Sequence, residues 1–352
     1  MLCLVFAFSF SACSKKQGEK KEEKKEEAGT AETVNYTEKW VVEPSIEADR
    51  IYSLPLLSYN KKTNHYDVSF GEAYVIEKDG KFGLIDSNGK IVTEMKYDSI
   101  ETCVCSKKYI VTLRDEGETY SIDSNFESDW RYPHKCESFE GKSYIWDSSM
   151  NSLKIVEISD GEQNETDSKA LLPETCEISG SADGAKKYAL AYGGRLVSAS
   201  DFENAGVFTG GIAALCKNGK WGYVDSTGKQ VIPFEYDAVK GHDIIGRGDT
   251  AYECSENYVT VLKGGKWGIF RADGTSVIPC TYSSLTTVHD GRAFALSSNG
   301  MWGILCVDEA VSNGIINDSV TNETTGQETD EDENEEENDS QSEDEDYDDE
   351  ED

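Results

Sequence analysis

Histidine is scarce in this 352-residue chain. His65, His134, His242 and His289 are the only four, and none stands at metal-ligand spacing from another ligand, so no zinc or other metal centre is expected. Ten cysteines are present without a single Cys-x-x-Cys. A Gly-x-Ser-x-Gly elbow, a Walker loop, an HExxH pair and a Rossmann fingerprint are all missing, which leaves an enzymatic or cofactor-binding reading without a motif to rest on. Paired carboxylates are plentiful, as in any acidic chain, and their spacing in sequence says nothing about glycoside hydrolysis. Basic residues are outnumbered two to one, 34 Lys and Arg against 68 Asp and Glu. With no basic patch to replace counterions on phosphates, nucleic acid is not an expected partner. No apolar run is long enough to cross a bilayer as a helix; Met1 to Phe10 is too short.

The acidity that is present is concentrated. Nineteen of the 68 acidic residues lie between Glu323 and Asp352, where there is no Lys or Arg, so the rest of the chain carries only -15 of the net -34. With Tyr347 as its only aromatic, this stretch cannot bury enough apolar surface to offset chain entropy, and residues 312–352 are expected to be a disordered acidic tail. A solubilising, self-repelling bristle is the plain reading of such a block, and loose cation capture is the sharper one. No stretch has the D-x-[DN]-x-[DN]-G loop of an EF-hand.

At the other end, Met1 to Phe10 ends in small residues just before a cysteine, the pattern of a processing signal. Phe10-Ser11-Ala12-Cys13 resembles the bacterial lipobox, which implies residues 1–12 as a signal peptide and Cys13 as the lipid attachment site. No Lys or Arg precedes the apolar run, and Phe stands where Leu is usual; a plain secretory signal is the alternative. The charged, near-neutral residues 13–38 then read as an anchor and linker. Of the other cysteines, eight (Cys103, Cys105, Cys136, Cys176, Cys216, Cys254, Cys280 and Cys306) sit scattered in apolar, strand-like contexts, so small buried side chains are expected rather than a disulfide framework.

Between the two ends the chain repeats itself. Taking Phe82, Trp221 and Trp267 as equivalent, Gly follows at +1 (Gly83, Gly222, Gly268) and +7 (Gly89, Gly228, Gly274), Val at +10 (Val92, Val231, Val277) and Tyr at +15 (Tyr97, Tyr236, Tyr282). A fourth copy starts at Trp302-Gly303 and breaks off after Leu305. Asn218-Gly219, like Asp79-Gly80, Gly264-Gly265 and Asn299-Gly300, is a two-residue hairpin turn that joins one strand, Ile212 to Lys217, to the next, Lys220 to Val224. A second turn at Asp225 to Gly228 leads to a third strand, Gln230 to Ile232, which Pro233 is expected to end. Irregular hairpins fill the middle, and hairpin starts near residues 73, 108, 142, 187, 212, 257 and 293 space at about 37 residues, in the range of repeat arrays. Six or seven sheets are expected. Gly241 to Asn257 reads as an inserted loop, and its Arg-Gly-Asp triplet as chance.

The phrases GKWGYVD, GKWGIF, GMWGIL and GKFGLID, with VIPFEYDAV and VIPCTYSSL, resemble the WG-repeat (KWG) β-repeat family. The resemblance covers Ala73 to Ile100, and Gly210 to Leu305 except for the insertion; Cys103 to Leu172 departs from it. It implies a tandem all-β array, common in bacterial exported or surface proteins, with no assigned catalysis.

The truncated last copy suggests how the array ends. Lys39 to Ala48 is similar to the strand that this copy lacks, and a β-propeller can close by completing its last blade with an N-terminal strand. The expected fold over residues 39–311 is therefore an all-β, propeller-like ring of short antiparallel meanders, with an open β-solenoid as the alternative. Phe82, Trp221, Trp267 and Trp302, with Tyr97, Tyr236 and Tyr282, are expected to be packing residues and not a ligand platform. The functional expectation is a monomeric, non-enzymatic lipoprotein at the cell envelope or cell surface that binds a protein or peptide. Cell-wall or host glycan binding is the alternative, an envelope hydrolase a distant third, and the ligand-binding residues are not identifiable.

Overall fold

The computed structural model describes residues 36–60, 65–102, 109–116, 118–123, 141–159, 162–167, 172–179 and 184–308. Cys13, residues 14–35 of the charged linker, Cys103, Cys105, Cys136, His134 and the acidic tail lie outside them. Every described regular element is a β-strand, and the strands form six small sheets.

In chain order, the first complete sheet runs Arg50–Asn60, His65–Lys78, Lys81–Asp86 and Ile91–Tyr97, and the second Ser99–Thr102, Tyr109–Asp115 and Glu118–Asp123. The third has six strands, in the order Glu162–Asp167, Ser152–Ser159, Gly141–Asp147, Glu174–Ile178, Tyr188–Tyr192 and Arg195–Leu196. Within it, Gly141–Asp147 and Glu174–Ile178 pair in parallel, so two meanders share one sheet. The fourth comprises Asn204–Thr209, Ile212–Lys217, Lys220–Asp225 and Gln230–Tyr236, and the fifth Tyr258–Lys263, Lys266–Arg271 and Ser276–Tyr282. The sixth joins the two ends of the domain: Trp40–Ile46 pairs with Trp302–Cys306, which pairs with Arg292–Leu296.

Each sequence offset now has a physical cause. The +15 tyrosine is the cross-strand partner of the aromatic: Trp221 faces Tyr236, Trp267 faces Tyr282 and Phe82 faces Tyr97. The +1 glycine lets the outer strand approach: a Cβ on Gly222 would lie 2.8 Å from the Phe234 ring and 2.9 Å from Ile232 O. The pairing registers shift at this point in all three copies, the mark of a bulged outer strand. This corrects one expectation. Pro233 does not end its strand, which continues to Tyr236, because an outer-edge strand with an irregular register tolerates a residue without an N–H. The +7 glycine serves contact between sheets. Gly274, at φ 90°, would place a Cβ 2.2 Å from Val231 O in the preceding sheet, and Gly228, at φ 80°, one 2.1 Å from Val197 O.

Among the described residues, apolar clusters join successive sheets at every step except from the second to the third. Trp302, Ile304 and Phe294 of the sixth sheet pack with Ile51, Tyr74, Ile76 and Ile85 of the first. Leu84 and Tyr97 pack with Ile100 of the second, Tyr188 and Leu190 of the third with Phe202 and Leu215, Trp221 and Tyr236 of the fourth with Val259 and Phe270, and Ile269 and Tyr282 of the fifth with Leu305 and Trp40. The sixth sheet bears on the expected closure of the array. Ile46 faces Trp302 and Val42 faces Ile304, so Ile46 takes the place that Tyr236 holds in the fourth sheet. A Cβ on Gly303 would meet the Trp40 ring at 2.7 Å. Beyond this strand, Tyr282 Oη donates to Glu38 Oε1 at 2.5 Å and lies 3.0 Å from Tyr36 Oη, which fastens the first described residues across the seam.

Candidate functional site

The seven repeat aromatics lie inside the molecule. Trp221, Trp302, Tyr97, Tyr236 and Tyr282 are buried, while Phe82 and Trp267 are partly buried. Trp302 Nε1 donates to Ala48 O at 3.1 Å, and Trp267 stacks on Tyr252 with ring centroids 5.8 Å apart.

Two neighbours of these aromatics, which the sequence pattern did not single out, link successive sheets. Lys220, just before Trp221, donates to Asp237 Oδ1 at 2.5 Å, and Asp237 Oδ2 accepts the Gly264 amide in the hairpin turn of the next sheet. Lys81, Asp98 and the Glu116 amide repeat the arrangement at 2.7 and 2.9 Å. The signal was an Asp at +16 in two copies; the third has Ser283 there.

Chemistry-bearing side chains gather instead where the first sheet's long hairpin and the inserted loop meet the other sheets. Val68 and Phe70 of the hairpin pack with Leu153, Cys176, Val207, Val239 and Tyr252 in a single buried cluster, with Ile244 and Ile245 of the loop against it. The Phe70 ring lies edge-on to Tyr252 at 5.4 Å, and Thr209 Oγ1 donates to Val68 O at 3.5 Å. Hydrophobic burial therefore draws two segments that the repeats do not supply onto the same spot.

Polar groups fasten both. His65 Nδ1 bonds Glu174 Oε1 at 2.6 Å, with the two side chains 5% and 3% exposed. His242 Nε2 bonds Glu253 Oε2 at 2.6 Å, the Glu253 side chain being fully enclosed. Arg247 donates through Nη1 to Thr175 Oγ1 and Ala205 O, both at 3.0 Å, and its guanidinium lies over the Tyr188 ring. The arginine of the Arg-Gly-Asp triplet thus points inward, while Asp249 Oδ1 accepts the Gly241 amide.

Burial pushes the Glu174 carboxyl up to about 7, against the opposing pull of His65. Burial also pushes the Cys176 thiol up to about 12, which makes it a poor nucleophile. Cys176, Cys216, Cys254, Cys280 and Cys306 are free thiols, and burial raises each of them.

Among the described residues one grouping could hold a metal ion: ligand atoms of Glu256, His289 and Asp290 lie within 4.8 Å of one another. Glu256 already has partners there, since its Oε2 accepts the Asp290 amide at 2.8 Å and its Oε1 lies 2.7 Å from His289 Nδ1. No ligand spacing could have announced it, because Glu256 and His289 come from turns of neighbouring sheets.

The buried aromatic, its cross-strand tyrosine and the two glycines recur as one structural unit, and a family description fits that unit. Residues 82–102, 193–221, 221–241 and 267–302 match the WG containing repeat. These segments are WG-containing repeats. The match at 193–221 includes the Gly193-Gly194 turn, which the sequence pattern marked only as an irregular hairpin. No curated protein is similar enough to match this chain. Solved structures similar to it include a β-propeller domain from Myceliophteria thermophila, at 11% identity and TM-score 0.28 over 75% of this chain and 100% of that one. The β-propeller domain of the Trilobed protease from Pyrococcus furiosus is similar at 12% identity and TM-score 0.27, covering 76% and 93%. A chain of the Mitotic Checkpoint Complex is similar at 10% and 0.27, covering 87% and 99%.

Proposed function

We propose that this WG-repeat protein is a non-enzymatic interaction module of the cell envelope, held at a membrane by lipid on Cys13 and engaging a protein or peptide through the loops that differ between its sheets. The observation that carries the reading is the use of the repeated residues. The Trp, Tyr and Gly positions that recur are occupied in packing the sheets, and the long hairpin and inserted loop fill the space between them. What varies from copy to copy, and so can distinguish one partner from another, lies in the turns and connecting segments.

A protein partner suits the described surface better than a glycan. The exposed large apolar side chains among the described residues are Ile91, Met150, Leu172 and Tyr192, and the single tyrosine among them makes no stacking platform for sugars. Chemical crosslinking on whole cells followed by affinity capture of the full chain is the test. It should recover one reproducible envelope protein; reproducible hits on a glycan array with no protein partner would replace this reading with the glycan one.

A further inference from the structure

Each filling segment contributes a buried histidine bonded to a buried glutamate, His65 to Glu174 of the third sheet and His242 to Glu253 of the same inserted loop. We propose that the His65–Glu174 bond is a pH-sensitive latch, which holds the His65–Phe70 stretch of the long hairpin inside the sheet array in mildly acidic conditions and loosens it in alkaline ones.

Around the pair the hairpin stretch is held by the apolar contacts of Val68 and Phe70 and by the hydroxyl of Thr209 on Val68 O. The His242 ring, bonded to Glu253, lies 6.1 Å from the Phe70 ring, from the side of the inserted loop. The charged and titratable groups that face the pair come from each element packed on it. Asp67 of the hairpin itself lies 3.4 Å from His65 Nε2 and is 57% exposed. From the inserted loop comes Arg247, whose guanidinium bonds Thr175 next to Glu174. The strand of Glu174 also carries the Cys176 thiol, which stays protonated in this range.

The direction follows from the proton balance. Burial raises Glu174 from 4.5 to about 7 despite His65. For His65, burial works downward but is outweighed by Glu174 and Asp67, and the net displacement from 6.5 is upward. Both changes mean that the closed pair holds more protons than the opened one. A raised histidine stabilises fully below its unfolded value and loses that contribution as pH climbs through its folded value. A raised carboxyl is penalised progressively from 4.5 up to about 7. Both therefore weaken the latch as pH rises from 4.5 through 7 and beyond. The physical cause is that loss of the shared proton leaves net negative charge in an enclosed site beside Asp67.

Hydrogen exchange on the full chain between pH 5.5 and 8.5, corrected for the intrinsic pH dependence of exchange, tests this. Protection of the His65–Phe70 amides should fall by about tenfold or more across the range, while Lys220–Asp225 of the fourth sheet keeps its protection. Glu174→Gln should flatten the hairpin's profile, since an amide can still accept from His65 but does not titrate; in His65→Gln the buried Glu174 still titrates and the fall should remain. Parallel profiles for hairpin and sheet in the wild-type chain would overturn the proposal, as would a fall that persists in folded Glu174→Gln. If that variant does not fold, the wild-type comparison alone decides.

Discussion

The fourth sheet and the long hairpin of the first are both well buried, yet they are built by different means. In the fourth sheet nearly every stabilising contact is local or one repeat away: Trp221 meets Tyr236 fifteen residues on, and Asp237 reaches the Gly264 turn. The hairpin stretch from His65 to Phe70 depends on partners from four distant segments, with Glu174 109 residues away and the Thr209 hydroxyl 141. Local, repeated contacts make a frame that each copy can specify for itself, whereas single-copy, long-range contacts make a filling whose position depends on the frame being complete.

Substitutions in the two regions should separate these roles. Trp221→Ala removes a nearly enclosed side chain from a sheet-to-sheet cluster and should lower stability by about 3 to 5 kcal/mol. Denaturant unfolding followed by tyrosine fluorescence measures it, and an unchanged midpoint would mean that the repeat aromatics are not frame residues. Gly228→Ala combines a positive φ with a backbone carbonyl 2.1 Å from the new methyl group. It should cost about 2 kcal/mol or more, against about 1 for Gly219→Ala, where the φ is also positive but nothing lies within reach. Equal losses at the two glycines would show that the contact between sheets contributes nothing. Smallest is Lys220→Ala, which removes a half-exposed ion pair and should cost about 0.2 to 1 kcal/mol, less at high salt.

That last contact also has a pH signature opposite to the latch. Lys220 and the Gly264 amide, outweighing burial, hold the Asp237 carboxyl below its usual 3.8, so its stabilisation is complete above that value and is lost as pH falls through the lower folded one. The frame should weaken in strong acid and the hairpin in alkali. Circular dichroism at pH 2 to 4, set beside hydrogen exchange at pH 7 to 9, would sharpen the contrast, and coincident losses would abolish it.

Legibility in the sequence follows the same division. The offsets +1, +7, +10 and +15 were visible because they recur, and from them came the strands, the hairpin turns, the meanders and the strand that begins at Trp40. The meaning of each offset was not visible: that +15 is a cross-strand pair, or that the +7 glycine touches the preceding sheet, depends on a register that a bulge shifts, as Pro233 illustrates. The Lys220–Asp237 clasp left a signal in two copies that the substitution of Ser283 in the third obscured. His65, Glu174, His242, Glu253 and Arg247 left none, since each occurs once: Glu174 reaches His65 from 109 residues away, and Glu253 meets His242 within the one inserted loop.

Closure of the frame by Trp40–Ile46 is the claim on which the rest depends, and deletion of that strand tests it most directly. Equilibrium unfolding should be compared between a chain beginning at Thr37 and one beginning at Asp49. A closed ring predicts that the shorter chain loses several kcal/mol of stability and cooperativity, because Trp302, Gly303 and Ile304 lose the strand that covers them. The same midpoint and slope for both chains would contradict it.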